Sequence, residues 1–344
     1  MTQLLSLSVF YLLCGTLLVA SELNETDAYS EFYTSSLDFS MELFETTLRN
    51  TPGNVVISPA SMAIALSMIQ QGARKESLSQ LTQLLKSNGD HSRKRYGTFS
   101  RSLKRKLQQE TLEVANGAFL NRKFDVLPEF RRAMNESFEP YVDTVDFSKP
   151  EQASQEINYW ISRNTNFKIN ELVNPEHLTK YASFFVTPQQ EVKVPMMQLQ
   201  APLKTGVLGN LNSRWVELPF ELERFSMLVI LPNEKDGLNR LLNAMAVSDL
   251  SNVLNNYLDF TTSENVSLSF PKLKLETDTN FVPILKQLGV TDIFSDKADL
   301  SGISSEALSV SDLIHTAQIE VDETGTKASA SSGKIGKKRE IGLL

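Results

Sequence analysis

The sequence predicts an α+β protein with large, mainly antiparallel β-sheets, and three observations carry that prediction. Helical apolar periodicity dominates the first part of the chain. Alternating or continuous apolar runs bounded by proline dominate the later part. No internal repeat or long linker interrupts residues 27–320, so 21–344 reads as one large domain.

Leu37, Met41, Phe44 and Leu48 recur at helical spacing, which predicts an amphipathic helix over about 29–49. Ser58-Pro59 is a strong helix start, with Ser58 as N-cap and Pro59 in the first turn. Met62, Leu66 and Ile69 then share one face, and Gly72 is expected to close that helix. Ile157, Trp160 and Ile161 suggest a further helix. Strands follow: Val192 and Val194 alternate before Pro195, and Met227–Leu231 is a buried run stopped by Pro232. Val266, Leu268 and Phe270 alternate cleanly up to Pro271.

Residues 1–20 are uncharged and rich in apolar side chains, with a small residue at Ala20 or Ser21 suited to cleavage. This reads as a secretory signal peptide, and hence a secreted, extracellular protein, although its basic N-terminal region is missing. A membrane anchor is the competing reading, against which stand the marginal length and the acidic Glu22 and Glu25. The single cysteine, Cys14, lies inside that segment, so the remainder has no disulfide, thiol nucleophile or cysteine metal site. The sequons at Asn24, Asn135 and Asn265 suit a secreted glycoprotein. A net charge of −7 argues against general nucleic-acid binding, and no second long apolar run suggests a membrane span.

Little catalytic chemistry is visible. The three histidines, His91, His177 and His315, lack zinc-site spacing. No phosphate-binding glycine loop and no GxSxG nucleophile elbow occurs. No cofactor or metal is expected, and an enzyme is not.

One stretch stands out. Glu323 to Lys334 is built mostly of small residues, which cannot anchor a core but can become a strand. Thr326, Ala328, Ala330 and Ser332 would then share one face. Lys337-Lys338-Arg339 follows at once. Composition alone favours an ordinary linker, followed by a solvated basic tail.

Collinear motifs decide between these readings. Asn54-Val-Val-Ile-Ser58-Pro59-Ala-Ser61, with Ala65-Leu66 and Gly72-Ala73, opens the series. Ala115-Asn116 with Phe119, Val145-Asp146-Phe147, and Ile157-Asn158 with Trp160, Thr165 and Lys168-Ile169 continue it. Val194-Pro195-Met196-Met197, Phe270-Pro271-Lys272, Leu288-Gly289 and Ala298-Asp299-Leu300-Ser301-Gly302 come next. Val310-Ser311, His315, Ala317 and Glu320-Val321 lead into Glu323-Thr-Gly325-Thr326. In this order, over about residues 30–339, the chain resembles the serpin family.

The resemblance implies a metastable fold of three sheets and eight or nine helices, with an exposed reactive loop over about 323–344. It implies that a serine protease attacks that loop, forms an acyl-enzyme, and is trapped as the loop inserts into the large sheet; serpin insertion is a standing example of strand addition. Glu323, Gly325, Thr326, Ala328 and Ala330 would form the hinge, and Ser58, Ser61 and His315 would support the sheet. Family spacing from Gly325 puts the reactive bond at Arg339–Glu340. An arginine there implies a trypsin-like target; the Lys337-Lys338-Arg339 run also suits a dibasic-cleaving protease. A monomer is expected.

Two departures point the other way. Between Thr179 and Lys180 the family's buried apolar strand of the large sheet is missing, and with it an Asn partner for Ser58 and His315. Beyond Arg339 the family's closing strands are absent. Phe167, Lys75 and Lys334 are smaller deviations. The alternative is therefore a non-inhibitory serpin-like binding protein, or a defective isoform cleaved as a substrate. Arg93, Lys94, Arg95, Arg101, Lys104, Arg105 and Lys106 concentrate basic charge without an acid, which suggests a sulfated glycosaminoglycan or, equally, a solvated helix face.

Overall fold

A helix start is the first feature of the computed structural model to follow directly from local chemistry. Ser58 is extended and its hydroxyl accepts from the Ser61 amide at 3.3 Å, with Pro59 opening the helix. The structure describes residues 10–11, 26–51, 55–107, 112–114, 117–138, 141–146, 149, 152, 156, 179–187, 190–219, 226–247, 263–322, 325–331 and 340–343.

Among them are seven α-helices: α1 (Thr26–Asn50), α2 (Pro59–Gly72), α3 (Lys75–Leu85), α4 (Gly89–Leu107), α5 (Pro128–Ser137), α6 (Leu238–Val247) and α7 (Val282–Gln287). Helix α2 is the core helix. Met62, Leu66 and Ile69 are buried, but so are Ala63, Ile64, Ala65 and Met68, so the helix is enclosed on all sides rather than amphipathic. Gly72 ends it, but not as a left-handed cap. Its φ is not positive; instead a Cβ there would meet Ile303 Cγ1 at 2.0 Å, so close packing demands the glycine. The helix expected around Ile157, Trp160 and Ile161 lies outside the described residues.

Two sheets are present among the described residues. The first runs β1 (Phe10–Tyr11), β8 (Ser226–Pro232), β7 (Ser213–Pro219), β6 (Gln190–Leu208), β5 (Thr179–Thr187), with β9 (Ser263–Pro271) also on β6. Every described pairing in it is antiparallel. Pro195 does not end its strand: it sits inside β6 opposite Tyr181, and its carbonyl accepts from Lys272. Phe10 and Tyr11 of the expected leader pair with Val229 and Leu228; the rest of residues 1–20 lies outside the described residues.

The second sheet runs β2 (Leu112–Val114), β12 (Gly325–Ser331), β11 (Ser309–Asp322), β13 (Glu340–Leu343), β3 (Gly117–Asn121), β4 (Tyr141–Val145), with β10 (Leu273–Asn280) on β11. It is mixed: β11–β13, β2–β12 and β3–β4 are parallel. The chain divides into two compact units interleaved along the sequence. One draws on 1–21, 170–274 and 319–327 and holds the first sheet; the other draws on 22–169, 275–318 and 328–344.

Candidate functional site

The long strand β11 carries the residues on which the site depends. Its His315 is buried, and Nε2 accepts from the Ser58 amide at 2.9 Å. The proton of the neutral ring therefore sits on Nδ1. Phe281 meets the imidazole edge-on, with centroids 5.8 Å apart. Burial pushes the His315 pKa down to about 4, against a weaker upward pull from Asp278. Ser58 and Ser61 hydroxyls bond at 3.0 Å, and the Val56 amide donates to Thr277 Oγ1. All three sheet-supporting residues named from sequence thus meet at the entrance to α2. The Ser58 amide finds its partner in His315 Nε2.

The Ala298–Gly302 motif is a clamp on the same core. The Asp299 carbonyl accepts from the Arg74 amide, the Gly302 amide donates to the Gly72 carbonyl, and the Ile303 carbonyl accepts from Leu127. The Ser301 hydroxyl, followed by the Lys75 ammonium, holds the Asp299 carboxyl below its usual range.

Beyond β11 the chain turns back into its own sheet. Gly325, Thr326, Ala328 and Ala330 lie in β12, where Ala328 faces Leu112 and Ala330 faces Val114. Residues 325–331 are a strand; Glu323 and Arg339 lie outside the described residues. Glu340 opens β13, opposite Ser309, and Ile341, Gly342 and Leu343 face Leu120, Phe119 and Ala118 of β3.

The other predicted positions are scattered. Asn135 is exposed on α5 and Asn265 exposed on β9; Asn24 lies outside the described residues. Arg93, Lys94, Arg95 and Arg101 lie on α4, with Lys104, Arg105 and Lys106 near its end. Arg93 approaches Asp90 at 3.6 Å, and Arg101 donates to the Glu136 carbonyl at 2.8 Å and to that of Ser137, capping the end of α5. No group of three or more His, Cys, Asp or Glu is placed to hold a metal among the described residues. No described helix is long and apolar enough to cross a membrane.

Comparison with known proteins defines the class. The serpin (serine protease inhibitor) family model matches residues 34–180 and 174–342, in two pieces that overlap at 174–180. The chain is 31% identical over 327 residues to Iris of Ixodes ricinus, covering 86% of each. It is 30% identical over 335 residues to the leukocyte elastase inhibitor of Bos taurus, covering 86% of this chain and 87% of that one. Among solved structures it matches "Cleaved Serpin 42Da" with a TM-score of 0.78, 28% identity and 88% coverage of both chains. The fold is the α+β serpin fold, and the chain belongs to the serpin family of protease inhibitors.

Sequence reasoning left three contacts unspecified. The resemblance groups Ser58 with His315, but not the bond from the Ser58 amide to Nε2, between residues 257 apart. The use of Arg101 as a cap had a faint signal, because Gly97 one turn earlier lets α4 approach α5: a Cβ there would meet the Ser137 carbonyl oxygen at 2.5 Å. The seat of β13 had none.

Proposed function

We propose that the chain is a secreted, suicide-substrate inhibitor of a trypsin-like serine protease, with Arg339–Glu340 as the reactive bond. The observation that carries this reading is the run of small residues from Gly325 to Ala330, already shaped as a strand and paired on β2, immediately ahead of Lys337-Lys338-Arg339. The protease serine attacks the Arg339 carbonyl, the Glu340 amine leaves, and an ester joins the protease to Arg339. Further pairing of the segment after Ala330 along β11 then carries the protease away before water completes hydrolysis. An arginine fits the carboxylate-bearing specificity pocket of trypsin-like enzymes. A dibasic-cleaving protease is the narrower form of the same reading.

Two additional roles belong here. The apolar run of residues 1–20 directs secretion, and Asn24, Asn135 and Asn265 are glycan acceptors. Lys94 is exposed on α4, so a sulfated glycosaminoglycan is a candidate partner for that face. Retention on heparin that collapses between low and physiological salt supports it; no retention at low salt removes it.

One observation favours a second reading, a non-inhibitory binding protein or a form cleaved as a plain substrate. Glu340 is already the first residue of a strand within the sheet, so the bond before it borders paired backbone. Mixing the protein with trypsin and running a denaturing gel separates the two. Inhibition gives a band near the summed mass that resists SDS and disappears in Arg339→Ala. Cleavage after Arg339 without that band makes the chain a substrate.

A further inference from the structure

Asn88 and Gly89 lie where the chain passes from α3 to α4, and Asn88 is the N-cap of α4. Its carbonyl accepts from the Ser92 amide at 2.8 Å, and its Oδ1 accepts from the His91 amide at 3.1 Å. Gly89 is the first residue of α4, where a backbone amide has no partner within its own helix. Asn88 is exposed, so water reaches it. Packing does not require the glycine: a Cβ there would meet no atom within 4 Å, and its φ is not positive.

An Asn followed by Gly pairs a side-chain amide carbon with a backbone nitrogen that no Cβ shields. Here the cap activates both partners. The His91 amide polarises the Asn88 side-chain carbonyl and already points at the oxygen on which negative charge would develop, as an oxyanion donor does. The Ser92 amide draws electron density through the Asn88 main-chain carbonyl, which is conjugated with the Gly89 nitrogen, so that N–H gives up its proton more readily. The positive end of α4 favours the anion that results.

We infer that Asn88–Gly89 is a deamidation site, at which the start of α4 is converted without any enzyme to an aspartyl or isoaspartyl form. Hydroxide removes the Gly89 amide proton and the nitrogen attacks Asn88 Cγ. The Cγ–Nδ2 bond then breaks, ammonia leaves, and a succinimide ring remains. Water opens that ring at one of two bonds, its hydroxyl going to the carbon and its proton to the nitrogen. Opening at Cγ gives aspartate, which keeps the cap and places a negative charge at the positive helix end. Opening at the main-chain carbonyl carbon gives isoaspartate, which routes the backbone through Cβ and Cγ and takes both acceptors away from the His91 and Ser92 amides. Either product adds a negative charge at the head of the helix that carries Arg93, Lys94 and Arg95. The inference is independent of the inhibitory reading.

A second Asn-Gly pair, Asn116–Gly117, supplies an internal reference. Gly117 opens β3 opposite Tyr141, so its backbone is held extended in a ladder; Asn116 lies outside the described residues. Peptide mapping by mass spectrometry, with fragmentation that separates aspartate from isoaspartate, is applied to the full chain aged at neutral pH. Product at position 88 is expected to accumulate at least about fivefold faster than at 116, because the ladder must open before Gly117 can react. Gly89→Ala should slow the reaction at 88 by about tenfold or more while leaving 116 unchanged, since the added Cβ shields the nitrogen. In urea, where neither cap nor ladder survives, the two positions should react at similar rates. Equal rates at 88 and 116 in the folded chain overturn the inference, as does a Gly89→Ala chain that deamidates at 88 as fast as the parent.

Discussion

The entrance to α2 and the edge of β3 both border β11, yet they are held in different ways. At α2 side-chain chemistry holds the chain: His315 accepts from the Ser58 amide, Ser58 caps the helix, and Phe281 meets the ring edge-on. At β3 the exposed groups are backbone, and only another backbone can satisfy them in register. There the chain spends its own distal residues, Glu340–Leu343. A buried polar cluster can be made whole by two residues turning to each other; a sheet edge needs a strand. The first region is therefore expected to be rigid and stability-determining, and the second exchangeable.

The largest break of this contrast should come from Gly72→Ala. Its Cβ would lie 2.0 Å from Ile303 Cγ1, with the Ile303 backbone itself only 3.2 Å away, so the clamp cannot yield cheaply. A loss of about 3 kcal/mol is expected from the urea midpoint, the upper end for overpacking.

Acid should act almost as strongly. His315 has a folded pKa of about 4 against 6.5 for the free side chain, so the unfolded chain binds the extra proton first. Stability from this group is complete above about pH 6.5 and is lost as pH falls towards 4, by roughly 3 kcal/mol. His315→Gln should flatten that part of the pH–stability curve. A slope that survives the substitution assigns the effect to other groups.

Smaller effects sharpen the comparison. Ser58→Ala removes the cap and should cost about 1 kcal/mol, measured by the same urea midpoint. Gly342→Pro removes a ladder amide from β13 and should lower stability by less than about 1 kcal/mol. If Gly342→Pro destabilises more than Ser58→Ala, the β3 edge belongs to the rigid core and the contrast fails.

How much of this was legible in the sequence follows the range of the physics. Ser58-Pro59 announces its helix because capping and the proline's fixed φ act within one turn. Pro271 is the last residue of β9, opposite Met196, and the strand breaks one residue later at Lys272, whereas Pro195 lies within β6 and its carbonyl accepts from Lys272. Gly72 was correctly placed at the helix end for a wrong reason, since only the tertiary approach of Ile303 explains it. His315 could be singled out by resemblance, but not its partner atom. The seating of β13 leaves no local signal, because it pairs residues 341–343 with 118–120, far apart in the chain.

The central claim is that residues after β11 address and disable a serine protease. Titrating trypsin with increasing amounts of the purified chain and reading residual activity on a small chromogenic substrate tests it most directly. The account predicts activity that falls linearly to zero with added protein and does not return, with Arg339→Ala leaving trypsin untouched. Full trypsin activity persisting while the chain is cut after Arg339 would contradict it, and would leave a serpin fold whose sheet is already closed by its own distal strand.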